Sequence, residues 1–305
     1  MKIYVGVTDK NWFDLLKESN CDEVNFWKPG TGNFKALEFN DLFLFKLHSP
    51  YNYIVDGGFY VRFSALPTYL AWESFGIKNG TRTLSELEDR IRKYRTRNGI
   101  VGGNPLIGCI ILTEPFFFDE QDWIPVPEDW KNSIVQGKTY SLDTQIGKRL
   151  YDSVAERIQR THTGISATAS DAARYSESMT RHRLGQGAFR VLVTDAYHRR
   201  CAVTGEKTLP VLEAAHIKPY ADQGPHVTNN GILLKSDFHT LFDKGYITID
   251  RDYRLDVSPR LHQDYGNGRD YYKYHGQRLF NLPDQESQRP GREFLEWHNE
   301  NVFLG

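Results

Sequence analysis

Between positions 201 and 250, three polar residues stand among apolar ones: His216, Asn230 and His239. His216 follows Leu212-Glu213-Ala214-Ala215, Asn230 precedes Gly231-Ile232-Leu233-Leu234, and His239 lies close to Phe238 and Leu241. A histidine that is neutral near physiological pH can take a proton from water. A second can hold a divalent ion, and a side-chain amide can pin a loop. A single histidine is more often an ordinary structural residue. Two with an asparagine between them, each near the junction of two elements, suggest a hydrolytic centre.

Such groups need rigid elements to hold them. Residues 211–215 and 232–234 read as strands, and Ser236 caps a helix that runs to Asp243 and stops at Gly245. The order is ββα. Upstream, Phe189, Leu192, Val193, Ala196 and Tyr197 recur at amphipathic spacing, which predicts a helix packed beneath the segment. Downstream, residues 246–250 and 253–257 read as a hairpin and 290–299 as a closing helix. His262, His275 and His298 read as structural or surface residues.

The runs Leu212-Glu213-Ala214-Ala215-His216-Ile217-Lys218-Pro219-Tyr220, Asn230-Gly231-Ile232-Leu233-Leu234 and Phe238-His239-Thr240-Leu241-Phe242-Asp243-Lys244-Gly245 resemble the HNH nuclease family. They are most similar to the subgroup that opens with Cys-Ala-Val-Thr-Gly, here residues 201–205. The resemblance implies a ββα-metal domain in which His216 is the general base, His239 holds one divalent ion and Asn230 pins the loop. Phosphodiester hydrolysis needs a nucleophilic water, stabilisation of charge on the phosphate and neutralisation of the leaving 3′ oxygen. Many family members carry Asp or His just before the base histidine as a second metal ligand. This chain has Ala215 there, so the second ligand stays open: His239 holds the ion with waters and the phosphate, or a carboxylate such as Glu213 or Asp243 assists. So few protein ligands suit hydrated Mg²⁺ or Mn²⁺ better than caged zinc. Lys218, beside the motif, is a candidate contact to the DNA backbone.

The 305 residues exceed what one core usually serves, so two domains and a connector are expected, at 1–151, 152–186 and 187–305. The connector reads as a basic, polar linker with few large apolar residues. A formal net charge of −1 argues against coating nucleic acid by overall charge and is silent on local basic patches. Three isolated cysteines supply neither a disulfide framework nor a zinc ribbon. No signal-peptide pattern or membrane-length apolar run is present, so a soluble, cytoplasmic protein with no membrane partner is expected.

In the first half, short strands at 2–7, 41–47, 53–55, 59–63 and 106–112, joined by Pro- and Gly-rich turns, predict a small barrel closed by the last of them. Residues 115–118 and 123–127 read as irregular chain wrapped around it. Ser85 and Glu88 form a capping-box pattern for a helix whose outward face carries Arg92, Lys93 and Arg95, a candidate ridge for DNA phosphates. Asn25-Phe26-Trp27-Lys28-Pro29-Gly30, the strand at 41–46 and the hairpin at 49–59 resemble the EVE domains of the PUA-like superfamily. Several relatives of those domains read modified bases. The overall class expected is α+β.

A reader of this kind stacks an extruded base on aromatic rings, because unstacking costs several kcal/mol that the pocket must offset. Trp27, His48, Tyr51 and Tyr53 suit that role, Trp27 because Pro29 and Gly30 place it on a loop. The two resemblances together imply a type IV, modification-dependent restriction endonuclease acting on double-stranded DNA that carries 5-methyl- or 5-hydroxymethylcytosine. The alternatives are an HNH nickase with sequence, structure or RNA specificity, and a non-cleaving reader whose nuclease site has decayed. A double-strand break would require a homodimer or two successive nicks.

Overall fold

The computed structural model describes residues 1–97, 105–163 and 184–305. It divides into two compact units, Met1–Gly185 and Gln186–Gly305. Together they make a mixed α+β chain.

The first unit is built from β1 (Lys2–Thr8), α1 (Lys10–Ser19), β2 (Glu23–Lys28), β3 (Leu42–Leu47), β4 (Tyr53–Pro67), α2 (Thr68–Phe75), α3 (Leu84–Arg97), β5 (Leu106–Phe117), β6 (Ile124–Pro125), β7 (Gly137–Ser141) and α4 (Gln145–Thr163). The strands form one sheet in the order β2-β5-β4-β3-β1-β7, with β6 on β4. β1 and β3 are parallel and the other pairs antiparallel.

Every residue of β3 is buried, and alternate side chains feed two cores. Leu42 and Leu44 join Ile3, Val5, Leu150, Val154 and Ile158 on one face. Phe43 and Phe45 join Trp12, Leu16, Ile110 and Leu112 on the other. A sheet covered on both faces needs continuous apolar strands, which is what β3 and β5 supply.

Among the described residues the closed barrel expected here does not form. β2 and β7 are the two ends of an open path of strands. Helical segments pack against these edge strands instead, which blunts their exposed backbone groups: α4 against β7, and the 3₁₀ turn Gly76–Asn79 against β2. The runs at 53–55 and 59–63 are one strand, because Gly57 and Gly58 continue the ladder. A Cβ at Gly57 would meet Phe43 O at 2.7 Å, so only glycine lets the strands approach this closely.

Three local expectations change. β5 runs to Phe117 and includes Pro115, so that stretch is strand, not irregular wrapping. α3 is capped by Thr83, whose Oγ1 accepts from Glu86 N at 3.1 Å, while Glu86 Oε2 accepts from Arg82 N. Ser85 therefore sits inside the first turn. Residues 152–163, assigned to the linker, are the second half of α4, and Val154 and Ile158 anchor it in the core. Most of the expected linker, 164–183, lies outside the described residues. No helix of the described residues is long and apolar enough to cross a membrane.

The second unit comprises α5 (Gln186–Ala196), β8 (Leu212–His216), β9 (Gly231–Lys235), α6 (Ser236–Asp243), the hairpin of β10 (Ile247–Ile249) and β11 (Leu255–Val257), two short helices α7 (Arg260–Tyr265) and α8 (Arg269–Tyr272), and α9 (Arg292–Asn301). β8 and β9 pair antiparallel with His216 opposite Gly231. Ser236 begins α6 without capping it by its side chain. Phe189 and Val193 of α5, Leu212 and Ala215 of β8, Ile232 to Leu234 of β9, and Phe238 and Phe242 of α6 share one core. The 201–205 turn is tied in through Ala202 N, which donates to Leu233 O at 2.7 Å.

Candidate active site

His216 stands at the end of β8 with its imidazole flat against Phe189, ring centroids 3.8 Å and planes 10° apart. Gly231 makes this contact possible. A Cβ there would lie 2.4 Å from Val193 Cγ2 and 2.9 Å from Phe189 Cζ, so any side chain would push α5 away. His216 Nε2 lies 2.9 Å from Nδ1 of His226, on the loop between β8 and β9. Burial first, then the charges of His226 and His239, lower the His216 pKa to about 4. It is neutral at pH 7, the form that accepts a proton.

Asn230 is fully buried and spends its side chain on that loop. Its Oδ1 accepts from Lys218 N at 2.9 Å, and its Nδ2 donates to Lys218 O at 2.9 Å and Pro225 O at 3.0 Å. Its carbonyl accepts from Ile217 N, just after His216. Breaking this set would strand buried polar groups, at a cost of about 1–3 kcal/mol each. Lys218 extends from the pinned segment, its Nζ 5.4 Å from the Trp297 ring centroid.

His239 lies one turn into α6 between two carboxylates. Glu213 Oε2 is 2.5 Å from Nδ1, and Asp243 Oδ2 is 3.3 Å from Nε2. The Glu213 contact favours a proton on Nδ1, which leaves the Nε2 lone pair on the Asp243 side. Nε2 and Oδ2 are the two groups on this side that could together contact a hydrated divalent ion such as Mg²⁺ or Mn²⁺. Among the described residues no group of three or more His, Cys, Asp or Glu is placed to hold a metal. Ala215 is buried in the core, whereas Glu213, two residues earlier on β8, keeps a half-exposed side chain that reaches His239.

The sequence family described as HNH endonuclease matches residues 201–250, the span that contains all of this geometry. Residues 201–250 thus match an HNH endonuclease family. No curated protein matches the chain. A solved structure, "Modification dependent TagI restriction endonuclease", aligns at 11% identity over 92% of this chain and 75% of its own, with a TM-score of 0.28.

Within residues 201–250, His226 is the neighbour of His216 that sequence reasoning missed. Its one signal was a titratable residue on the loop between two motif positions. Phe189, read only as part of a core-facing helix, also covers the face of His216. His298 is 2% exposed and stacked on Phe242, and it bonds Thr248 Oγ1 and Phe242 O, a structural role.

The base-pocket candidates of the first unit separate into different surroundings. Trp27 lies on β2, not on a loop, because the strand continues through Lys28 and pairs with β5. Its Nε1 donates to Asn79 O at 3.0 Å and its ring packs on Tyr94. Tyr51 and Tyr53, 45% and 40% exposed, share Trp123 as their aromatic neighbour. His48 is exposed at the end of β3. On α3, Arg92 pairs with Asp89 and Lys93 is exposed. Arg95 does not project as a free cation, since its guanidinium donates to Pro29 O and Leu106 O and braces those segments.

Proposed function

We propose that this protein is a DNA endonuclease in which His216, Asn230 and His239 cleave a phosphodiester, and that the first unit makes cleavage depend on a modified cytosine. The observation that carries the reading is that one ββα unit sets a neutral, half-exposed imidazole within electrostatic range of a second histidine flanked by carboxylates. His216 takes the proton of the attacking water. Asn230 holds the loop that keeps His216 and Lys218 in place, and Lys218 offers its charge to the phosphate. His239 and Asp243 would hold a divalent ion, with Glu213 orienting His239. When bound, the ion neutralises charge on the scissile phosphate and the leaving oxygen.

For the first unit, Tyr51 and Tyr53 are the favoured stacking residues, because their rings are exposed and backed by Trp123. Trp27 is less suited, since its indole N–H is committed to Asn79. Arg92 and Lys93 remain the α3 cations proposed for backbone contact. Digestion of unmodified, 5-methylcytosine and 5-hydroxymethylcytosine duplexes with Mg²⁺ or Mn²⁺ tests both halves. The expected result is cutting of a modified duplex only, abolished by His216→Ala. Equal cutting of all three removes the reader role, and undiminished cutting by His216→Ala removes the catalytic assignment.

A further inference from the structure

We infer that His226 is a positioning residue that sets the tautomer of His216: the Nε2–H of His216 donates to Nδ1 of His226, leaving Nδ1 of His216 as the atom that takes the water's proton. The inference rests on the nuclease reading above and names the atom through which it acts. His226 belongs to none of the three motif runs, and only the folded loop brings it to His216.

The 2.9 Å separation of His216 Nε2 and His226 Nδ1 requires one donor and one acceptor. If His226 were the donor, His216 would carry its own proton on Nδ1 and its only lone pair would be engaged by His226. If His216 is the donor, its Nδ1 lone pair is available, and among the described residues that nitrogen has no hydrogen-bond partner. Phe189 covers one face of the His216 ring and restrains it from turning.

His226 is itself held from two sides. Its ring stacks on Tyr220, centroids 4.8 Å and planes 13° apart. The residue before it, Pro225, is fixed by its carbonyl to Asn230 Nδ2 at 3.0 Å. Asn230 therefore acts on His216 along a second route, through the placement of His226. When water is deprotonated, its proton goes to His216 Nδ1 and its oxygen keeps the electron pair that attacks phosphorus. The imidazolium so formed still donates Nε2–H to His226, now as a charge-assisted bond, so the contact strengthens as charge develops. No proton passes to His226.

Two variants separate this role from packing. His226→Phe keeps a ring against Tyr220 but removes the acceptor. His226→Asn supplies an amide oxygen near the place of Nδ1. In the full chain labelled with ¹⁵N-histidine, long-range ¹H–¹⁵N spectra, with His216 assigned by its loss in His216→Gln, are expected to show His216 protonated at Nε2 alone. In His226→Phe the two tautomers should mix, with kcat on the cleaved duplex lower by at least about tenfold and KM unchanged. His226→Asn should restore both readouts. A wild-type His216 protonated at Nδ1, or a folded His226→Phe with unchanged tautomer and kcat, overturns the proposal. If instead His216→Ala cleaves normally, the nuclease assignment fails, while the tautomer measurement still reports on the His216–His226 bond itself.

Discussion

The ring of His216 lies parallel to that of Phe189 at 3.8 Å, so one aromatic face of a core helix forms the floor under the candidate base. Burial is the largest cause of the low His216 pKa, and Phe189 covers one whole face of the ring. Phe189→Ala is expected to raise that pKa from about 4 toward the ordinary histidine value near 6.5 and to cost about 3 kcal/mol of stability in this unit. A base is useful only when neutral, so the acid limb of the cleavage profile should move up in pH. Activity at pH 6 would then fall more than at pH 8, which a pH–rate series with an NMR titration of His216 checks.

Glu213 and Asp243 meet opposite nitrogens of His239, and their substitutions should differ in kind. Glu213→Gln loses only the carboxylate that orients the ring, so Mn²⁺ affinity should drop about 10- to 100-fold with activity recovered at high metal. Asp243→Asn removes the charge of the proposed second ligand and should weaken the ion more, with incomplete recovery. Isothermal titration with Mn²⁺, alongside metal-dependent cleavage rates, measures both. Equal affinities in the two variants and wild type would count against this pairing.

His298 gives the second unit a pH dependence of stability. Burial lowers its pKa to about 4, with its bond to Phe242 O opposing. Between about 6.5 and 4 the unfolded chain binds a proton here that the folded chain refuses, so stability falls as pH falls through that window. Above 6.5 both states are neutral and the slope vanishes. The full contribution is on the order of 3 kcal/mol. His298→Asn should be less stable than wild type at pH 7 but lose less on acidification, the remaining slope including that of His216. Urea unfolding of this unit at pH 7.5 and 4.5 is the measurement.

Tyr51 and Tyr53 stand with Trp123 on the first unit, apart in sequence from the nuclease motif. Replacing both with alanine should remove the preference for modified duplex, with stacking worth about 1–3 kcal/mol per base lost from binding. Tm should change little, because both rings are substantially exposed. Competition binding between modified and unmodified duplexes reads the effect directly.

The ββα order, the α5 helix and the β10–β11 hairpin were legible because apolar spacing along 186–257 matches the period of each element. The first unit was legible strand by strand but not in closure. Local alternation says that a strand is half or fully buried, while edge covering by α4 and by the 76–79 turn is a long-range outcome. Trp27 was misplaced for a related reason. The Pro29 and Gly30 signals are real, but pairing with β5 carries the strand one residue past Trp27 before they act.

By itself, the sequence determined the resemblance to an HNH motif, three polar residues at junctions that the apolar periodicity marks. It also placed Ala215 where the resemblance implies a second metal ligand. Only the tertiary structure decided that Glu213 and Asp243 divide the two nitrogens of His239, that Phe189 floors His216, and that His226 meets its Nε2. The physical reason is separation along the chain. Asp243 meets His239 as an i,i+4 pair within α6, but the other three contacts join residues 10, 26 and 27 positions apart through a folded loop and strand–helix packing, and no local pattern of hydrophobicity or propensity encodes which side chains will meet there.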